Sequence, residues 1–122
     1  MEAAARGAST QGGLTVGVLA GTDVRASPPN PYIALPLFTG LGQARNVVLV
    51  LSADAVIAIG GEWGTLSEIA IAMKHGKPLV LLGSWSVEPP SGDLGLPMVA
   101  DTAAEAVDLA LQPNRALGVD FV

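Results

Sequence analysis

The sequence contains no cysteine. That removes any disulfide framework and any thiolate chemistry. It has one histidine, His75, too few for a metal site built on imidazoles. Basic residues are also scarce: Arg6, Arg25, Arg45, Lys74, Lys77 and Arg115 make six against eleven acidic ones, for a net charge of −5. They are scattered and form no stripe of the kind that nucleic acid needs. Long apolar runs are missing as well. The longest, Val47–Ile59, is broken by Ser52 and Asp54 and falls short of the ~20 residues of a membrane span. Met1–Gln11 carries both acid and base and has no apolar centre, unlike a secretory signal. The expectation is a cytoplasmic protein with no metal, no nucleic acid partner and no membrane partner.

What is present points to an α/β protein with a covered sheet. Half of the 122 residues are hydrophobic and only 14% are charged. This length suits one domain, residues 1–122, with a modest core.

The central stretch is Ala53–Val80, ADAVIAIGGEWGTLSEIAIAMKHGKPLV. Ala55–Ile59 is short and uniformly apolar and reads as a strand buried on both faces. Gly60, Gly61 and Gly64 allow a sharp turn with uncovered N–H groups. Thr65 and Glu68 have the T-x-x-E spacing of a capping box, which starts a helix at Thr65. Leu66, Ile69, Ala70 and Met73 supply its stripe, and Gly76 stops it after Lys74 and His75. Pro78 opens a second buried strand, Leu79–Leu82. Such a βαβ unit belongs in a parallel sheet, and its strand-to-helix turn is where anionic ligands bind. The turn is neither G-x-G-x-x-G nor a P-loop, and Glu62 opposes a phosphate lying directly on it.

Elsewhere, Met1–Gln11 reads as a helix ended by Gly12-Gly13, and Leu14–Ala20 as a strand. Gly21–Pro36 is a proline-rich loop, and Tyr32–Phe38 an apolar extended piece. Leu41, Ala44, Val48 and Leu51 fit a helical stripe within Thr39–Ser52, which is taken as the crossover to the next strand. Gly83–Pro97 is a second long loop. Met98–Val99 is a short edge strand, and Asp101 or Thr102 caps a last helix with Ala103, Ala106, Val107 and Ala110 on one face. Pro113 ends that helix, and Arg115–Val122 is a tail. A helix before the first strand and an uncovered sheet flank suggest the later portion of a larger fold, or pairing with a second copy.

Three segments carry a resemblance: MEAAARGASTQGGLTVGVLAG, NPYIALPLFTGLGQARN and ADAVIAIGGEWGTLSEIAIAMKHGKPLVLL. Together they are similar to the Rossmann-like molybdenum cofactor carrier proteins, relatives of the "Lonely Guy" (LOG) cytokinin-activating phosphoribohydrolases. The likeness runs from Met1 to about Leu111, and its most specific parts are GLGQARN and GGEWGTLSE. It implies an open parallel sheet with helices on both faces, lacking an N-terminal strand, helix and strand. It also implies a homo-oligomer, dimer or tetramer.

The resemblance maps the hydrolases' catalytic Arg and Glu onto Arg45 and Glu68. Gly60 stands where those enzymes have Pro, Glu62 where they have Gly, and Asn46 where they have Lys. These departures lean toward the carrier branch. The expected ligand is a small phosphorylated one, nucleotide-like or a molybdopterin-type cofactor. Gly60, Gly61, Gly64, Thr65, Arg45 and Asn46 are its candidate contacts. The alternative is hydrolysis of the N-glycosidic bond of a nucleoside 5′-monophosphate, with Glu68 and Arg45 catalytic. A third outcome is an assembly-forming remnant without a competent pocket. Asp23 is a weak second-site candidate. Trp63 is read as a pocket roof or a subunit contact.

Overall fold

The computed structural model describes residues 1–112, so Pro113 and the tail Arg115–Val122 lie outside the described residues. The chain divides into two compact units, Met1–Val48 and Leu49–Val122.

The first unit opens with helix α1, Glu2–Thr10. Its alanines favour helix, and its end is set by Gly12, whose φ of 77° is the left-handed region that glycine adopts without a Cβ penalty. The Gly12 N–H donates to the Ser9 carbonyl at 3.1 Å and the Gly13 N–H to that of Ala8 at 2.9 Å, a Schellman closure. Strand β1, Val16–Leu19, follows and pairs in parallel with β2, Leu35–Phe38.

The expectation is a proline-rich loop to Pro36, with Tyr32–Phe38 as a short extended piece over the sheet edge and no strand within it. The structure makes Leu35–Phe38 a strand. Pro36 fits because the ladder alternates: the N–H groups of Leu35 and Thr39 donate to Thr15 and Leu19, each at 3.0 Å. The position between them points its nitrogen away from β1, where no donor is missed.

The long connection between β1 and β2 is held by local hydrogen bonds. Asp23 Oδ1 accepts from the N–H groups of Arg25 and Ala26, both at 2.9 Å. Ser27 Oγ accepts from Gly21 N–H at 2.8 Å, and a Cβ on Gly21 would strike that oxygen. Buried Thr15 donates its hydroxyl to the Tyr32 carbonyl and accepts from Ala34 N–H at 2.9 Å. Asp23, the weak candidate, thus has its carboxylate engaged in a turn.

Helix α2, Arg45–Ser52, follows a 3-10 turn at Gly42–Ala44 and crosses from the first unit into the second. The expected stripe is incorrect. Leu41, Ala44, Val48 and Leu51 are exposed, while Asn46 and Val50, four positions apart, are buried. The short apolar run offers hydrophobic residues to every side, so periodicity alone could not choose a face.

The second unit is a parallel sheet in the order β3-β4-β5, with β3 Val56–Ile59, β4 Leu79–Leu82 and β5 Met98–Ala100. The central strand β4 separates two cores by alternation. Leu79 and Leu81 pack with Val50, Ala58 and the Ile69 and Ala72 side chains of α3, Trp63–Lys74. Val80 packs with Ala100 and with Ala106 of α4, Ala103–Ala110. Helices therefore cover both faces of this sheet, as expected. A Leu79→Ala or Leu81→Ala change removes a buried side chain from such a core, which costs about 2–5 kcal/mol.

Two stripe assignments shift. On α3, Ala72 is buried where Ala70 was expected, and on α4, Val107 is exposed while Leu109 and Ala110 are half-buried. The ends hold. Gly76 has φ 59°, its N–H reaches the Met73 carbonyl at 3.2 Å, and Lys77 N–H reaches that of Ala72 at 2.9 Å. Thr102 caps α4, with its Oγ1 accepting from Glu105 N–H at 3.1 Å. Among the described residues no helix is long and apolar enough to cross a membrane.

Candidate ligand-binding site

The turn between β3 and α3 differs from the expectation in its starting point. Helix α3 begins at Trp63, with Glu62 as its N-cap at φ −88° and ψ 167°. Thr65 is therefore already in the first turn, and Glu68 lies in the second. The T-x-x-E pair here is no capping box.

The consequence is an uncapped N-terminus. The Glu62 side chain makes no capping hydrogen bond, and the Glu62 carbonyl accepts the first intrahelical bond from Leu66 N–H at 3.1 Å. Helix geometry leaves the N–H groups of Trp63, Gly64 and Thr65 without intrahelical acceptors. Gly60 enters the turn at φ 80°, and a Cβ at Gly60 or Gly64 would meet nothing within 4 Å. Uncovered donors, open space beside them and the positive end of a helix dipole are what an anionic group requires.

One contact was not legible in the sequence. Trp85, in the loop after β4, donates its indole Nε1–H to the Glu62 carbonyl at 3.2 Å. Its ring lies 5.2 Å from that of Trp63, tilted by 37°. Trp63 is 77% exposed, so it forms an outer surface of this pair. Behind Trp85 lies a cavity of about 470 Å³ at the C-terminal ends of β4 and β5. Leu81, Val87 and Pro97 supply apolar walls, and Ser84, Glu88 and Asp101 supply polar ones. The only available signal was a tryptophan in a glycine- and proline-rich loop directly after a buried strand.

The other expected residues are placed as follows. Arg45, half-buried, opens α2, and Asn46 beside it is buried. Both belong to the first unit, whereas the glycine turn, Thr65 and half-buried Glu68 belong to the second. His75 is the exposed C-cap of α3. Among the described residues no group of three His, Asp or Glu side chains could hold a metal ion.

The model of the SLOG cluster4 family matches residues 1–111. The chain is a member of that family. This SLOG cluster4 protein is 40% identical over 114 residues to an uncharacterized protein of Archaeoglobus fulgidus, covering 93% of the chain and 70% of the relative. It is 28% identical over 96 residues to YtoQ of Bacillus subtilis, covering 75% of the chain and 64% of YtoQ. Among solved structures it resembles the molybdenum cofactor binding protein of the phototrophic bacterium Rippkaea orientalis. There the TM-score is 0.75 at 36% identity, over 89% of this chain and 68% of that one. It also resembles TM1055, with a TM-score of 0.76 at 34% identity, over 88% of this chain and 69% of that one. The SLOG cluster4 chain thus has the Rossmann-like α/β fold expected from its sequence, with LOG-type neighbours.

Proposed function

We propose that this protein binds or carries a small phosphorylated ligand, nucleotide-like or of the molybdopterin type, at the turn from Gly60 to Thr65. The observation that carries this reading is the uncapped first turn of α3, with open space at Gly60 and Gly64. A phosphate there takes hydrogen bonds from main-chain amides and the favourable end of the helix dipole. The family resemblance adds Arg45 and Asn46 as further candidate contacts, a guanidinium fork being suited to phosphate and Asn46 offering a neutral donor and acceptor. The likeness to a molybdenum cofactor binding protein supports the cargo class. A molybdopterin-type cargo carries a phosphate on a pterin, and the amides of the turn fit that phosphate. A cytoplasmic setting belongs to the same reading and rests on composition.

A second reading is favoured by the position of Glu68. It stands half-buried in the second turn of α3, inside the helix body and not at its cap. As a base it would activate water against the anomeric carbon of a nucleoside 5′-monophosphate, the N-glycosidic bond breaking as the C–O bond forms and the nucleobase leaving with a proton. The resemblance assigns the phosphate to Arg45.

Incubation with AMP or a cytokinin nucleotide separates the two. The carrier reading expects saturable binding without release of free base. Base release that Glu68→Ala abolishes, while ligand is still bound, would replace it with the hydrolase reading. Homo-oligomer formation, dimer or tetramer, is part of the proposal. It is supported by exposed Val16, Leu35 and Leu37 on β1 and β2, and light scattering that reports a stable monomer would contradict it.

A further inference from the structure

The cavity beyond Trp85 has features that the phosphate site does not use. Its volume of about 470 Å³ is in the range of small-molecule pockets. Its walls are apolar at Leu81, Val87, Pro97 and the Trp85 ring, which suits the faces of a flat heterocycle. The charged residues in its lining are Glu88 and Asp101, with no lysine or arginine among them. Ser84 also lines it, and the Ser84 Oγ is shielded from solvent without a hydrogen-bond partner among the described residues. A buried hydroxyl in that state is an unmet demand for a ligand or water group.

We propose that this cavity receives the ring end of the ligand, and that Glu88, Asp101 and Ser84 select a ring edge carrying adjacent N–H donors. The 2-amino-6-oxo edge of guanine and the 2-amino-4-oxo edge of a pterin, each an amine beside a ring N–H, are such edges. Carboxylates only accept hydrogen bonds when ionised, so they favour an amine beside a ring N–H over a ring nitrogen that itself accepts. Trp85 joins the two ends of the site. Its ring lines the cavity while its N–H holds the Glu62 carbonyl at the start of α3. The inference rests on the reading of the Gly60–Thr65 turn only for where the phosphate of the same ligand goes.

Calorimetric titration with GMP, IMP, ribose 5-phosphate and guanosine tests it on the intact chain. IMP differs from GMP only in lacking the 2-amino group. GMP is expected to bind about tenfold more tightly than IMP, a difference of one good hydrogen bond to a charged acceptor. The exposed pair Glu88→Ala and Asp101→Ala, made together, removes both acceptors and should erase that preference while leaving ribose 5-phosphate affinity in place. Ser84→Ala should weaken GMP and guanosine but not ribose 5-phosphate. Equal affinity for GMP and IMP, or a preference that survives the double variant, overturns the proposal. Ribose 5-phosphate bound as tightly as GMP overturns it too, while sparing the phosphate turn. Guanosine bound without ribose 5-phosphate supports the cavity and overturns the turn. No binding of any probe overturns both.

Discussion

The indole N–H of Trp85 and the carbonyl of Glu62 are hydrogen-bonded at 3.2 Å, tying the loop after β4 to the first residue of the α3 cap. The same carbonyl accepts from Leu66 N–H, so both of its lone pairs are in use. The bond fixes the entry angle of α3 and sets the two tryptophans of the chain side by side.

Replacing Trp85 by Phe keeps an aromatic wall but deletes the donor. The bond is solvent-exposed, so the expected loss of stability is modest, about 0.5–1 kcal/mol. The paired indoles should give a coupled signal in circular dichroism that disappears in Trp85→Phe and equally in Trp63→Phe. Persistence of that signal in either variant would contradict the pairing.

Gly60 and Gly64 separate backbone need from ligand need. At Gly60 the φ of 80° makes alanine costly, about 1–2 kcal/mol, although no atom blocks its Cβ. At Gly64 the backbone is helical and the surroundings are open. Gly64→Ala should therefore stabilise the protein, by about 0.5–1 kcal/mol from helix propensity. If Gly64 is there for close approach of a phosphate, the same change should weaken ribose 5-phosphate binding. A stabilised variant with unchanged binding would remove Gly64 from the site.

The T-x-x-E spacing occurs at Thr65–Glu68 and again at Thr102–Glu105, with different outcomes. At the second, Thr102 caps Glu105 N–H at 3.1 Å, and Glu105 Oε2 accepts from Asp101 N–H at 2.8 Å. At the first, the helix has already begun at Trp63. Thr102→Ala should cost about 1 kcal/mol in thermal or urea unfolding. Thr65→Ala should cost no more than a few tenths of a kcal/mol, since no cap is lost there. Equal costs would contradict the assigned start of α3.

That contrast shows what the sequence could convey. Glycines after a helix, as at Gly12 and Gly76, fix chain direction locally, and both helix ends were legible. The strand Leu79–Leu82 was legible because its apolar run is bounded by Pro78 and Gly83. Leu35–Phe38 was not, because whether Pro36 is tolerated depends on which way its nitrogen faces in a ladder formed with distant residues. The start of α3 at Trp63 differs from the capping-box expectation for a related reason: such a box competes with whatever helix the preceding residues can join. For the candidate site, the glycine turn announced itself through local backbone demands. Trp85 and the cavity did not, since they depend on where a long loop returns after β4.

Lys77 offers a last test, because one residue closes two helices. Its N–H completes the end of α3 by donating to the Ala72 carbonyl at 2.9 Å. Its ammonium reaches the end of α2, donating to the Ala53 carbonyl at 2.7 Å and to that of Leu51 at 3.1 Å. Those carbonyls lie at the negative end of the α2 dipole, where a cation is favoured. Lys77→Met retains the half-buried stem and the main-chain bond while removing the charge. One of the two contacts is exposed to solvent, which limits the loss to about 1 kcal/mol. The urea midpoint should fall with no change in its denaturant slope, because the surface exposed on unfolding is the same. Lys77→Ala should lose more, since it also strips the stem that packs beneath the charge. A wild-type midpoint for Lys77→Met would mean that water serves the two carbonyls equally well, and that the end of α2 is held by packing at Val50 alone.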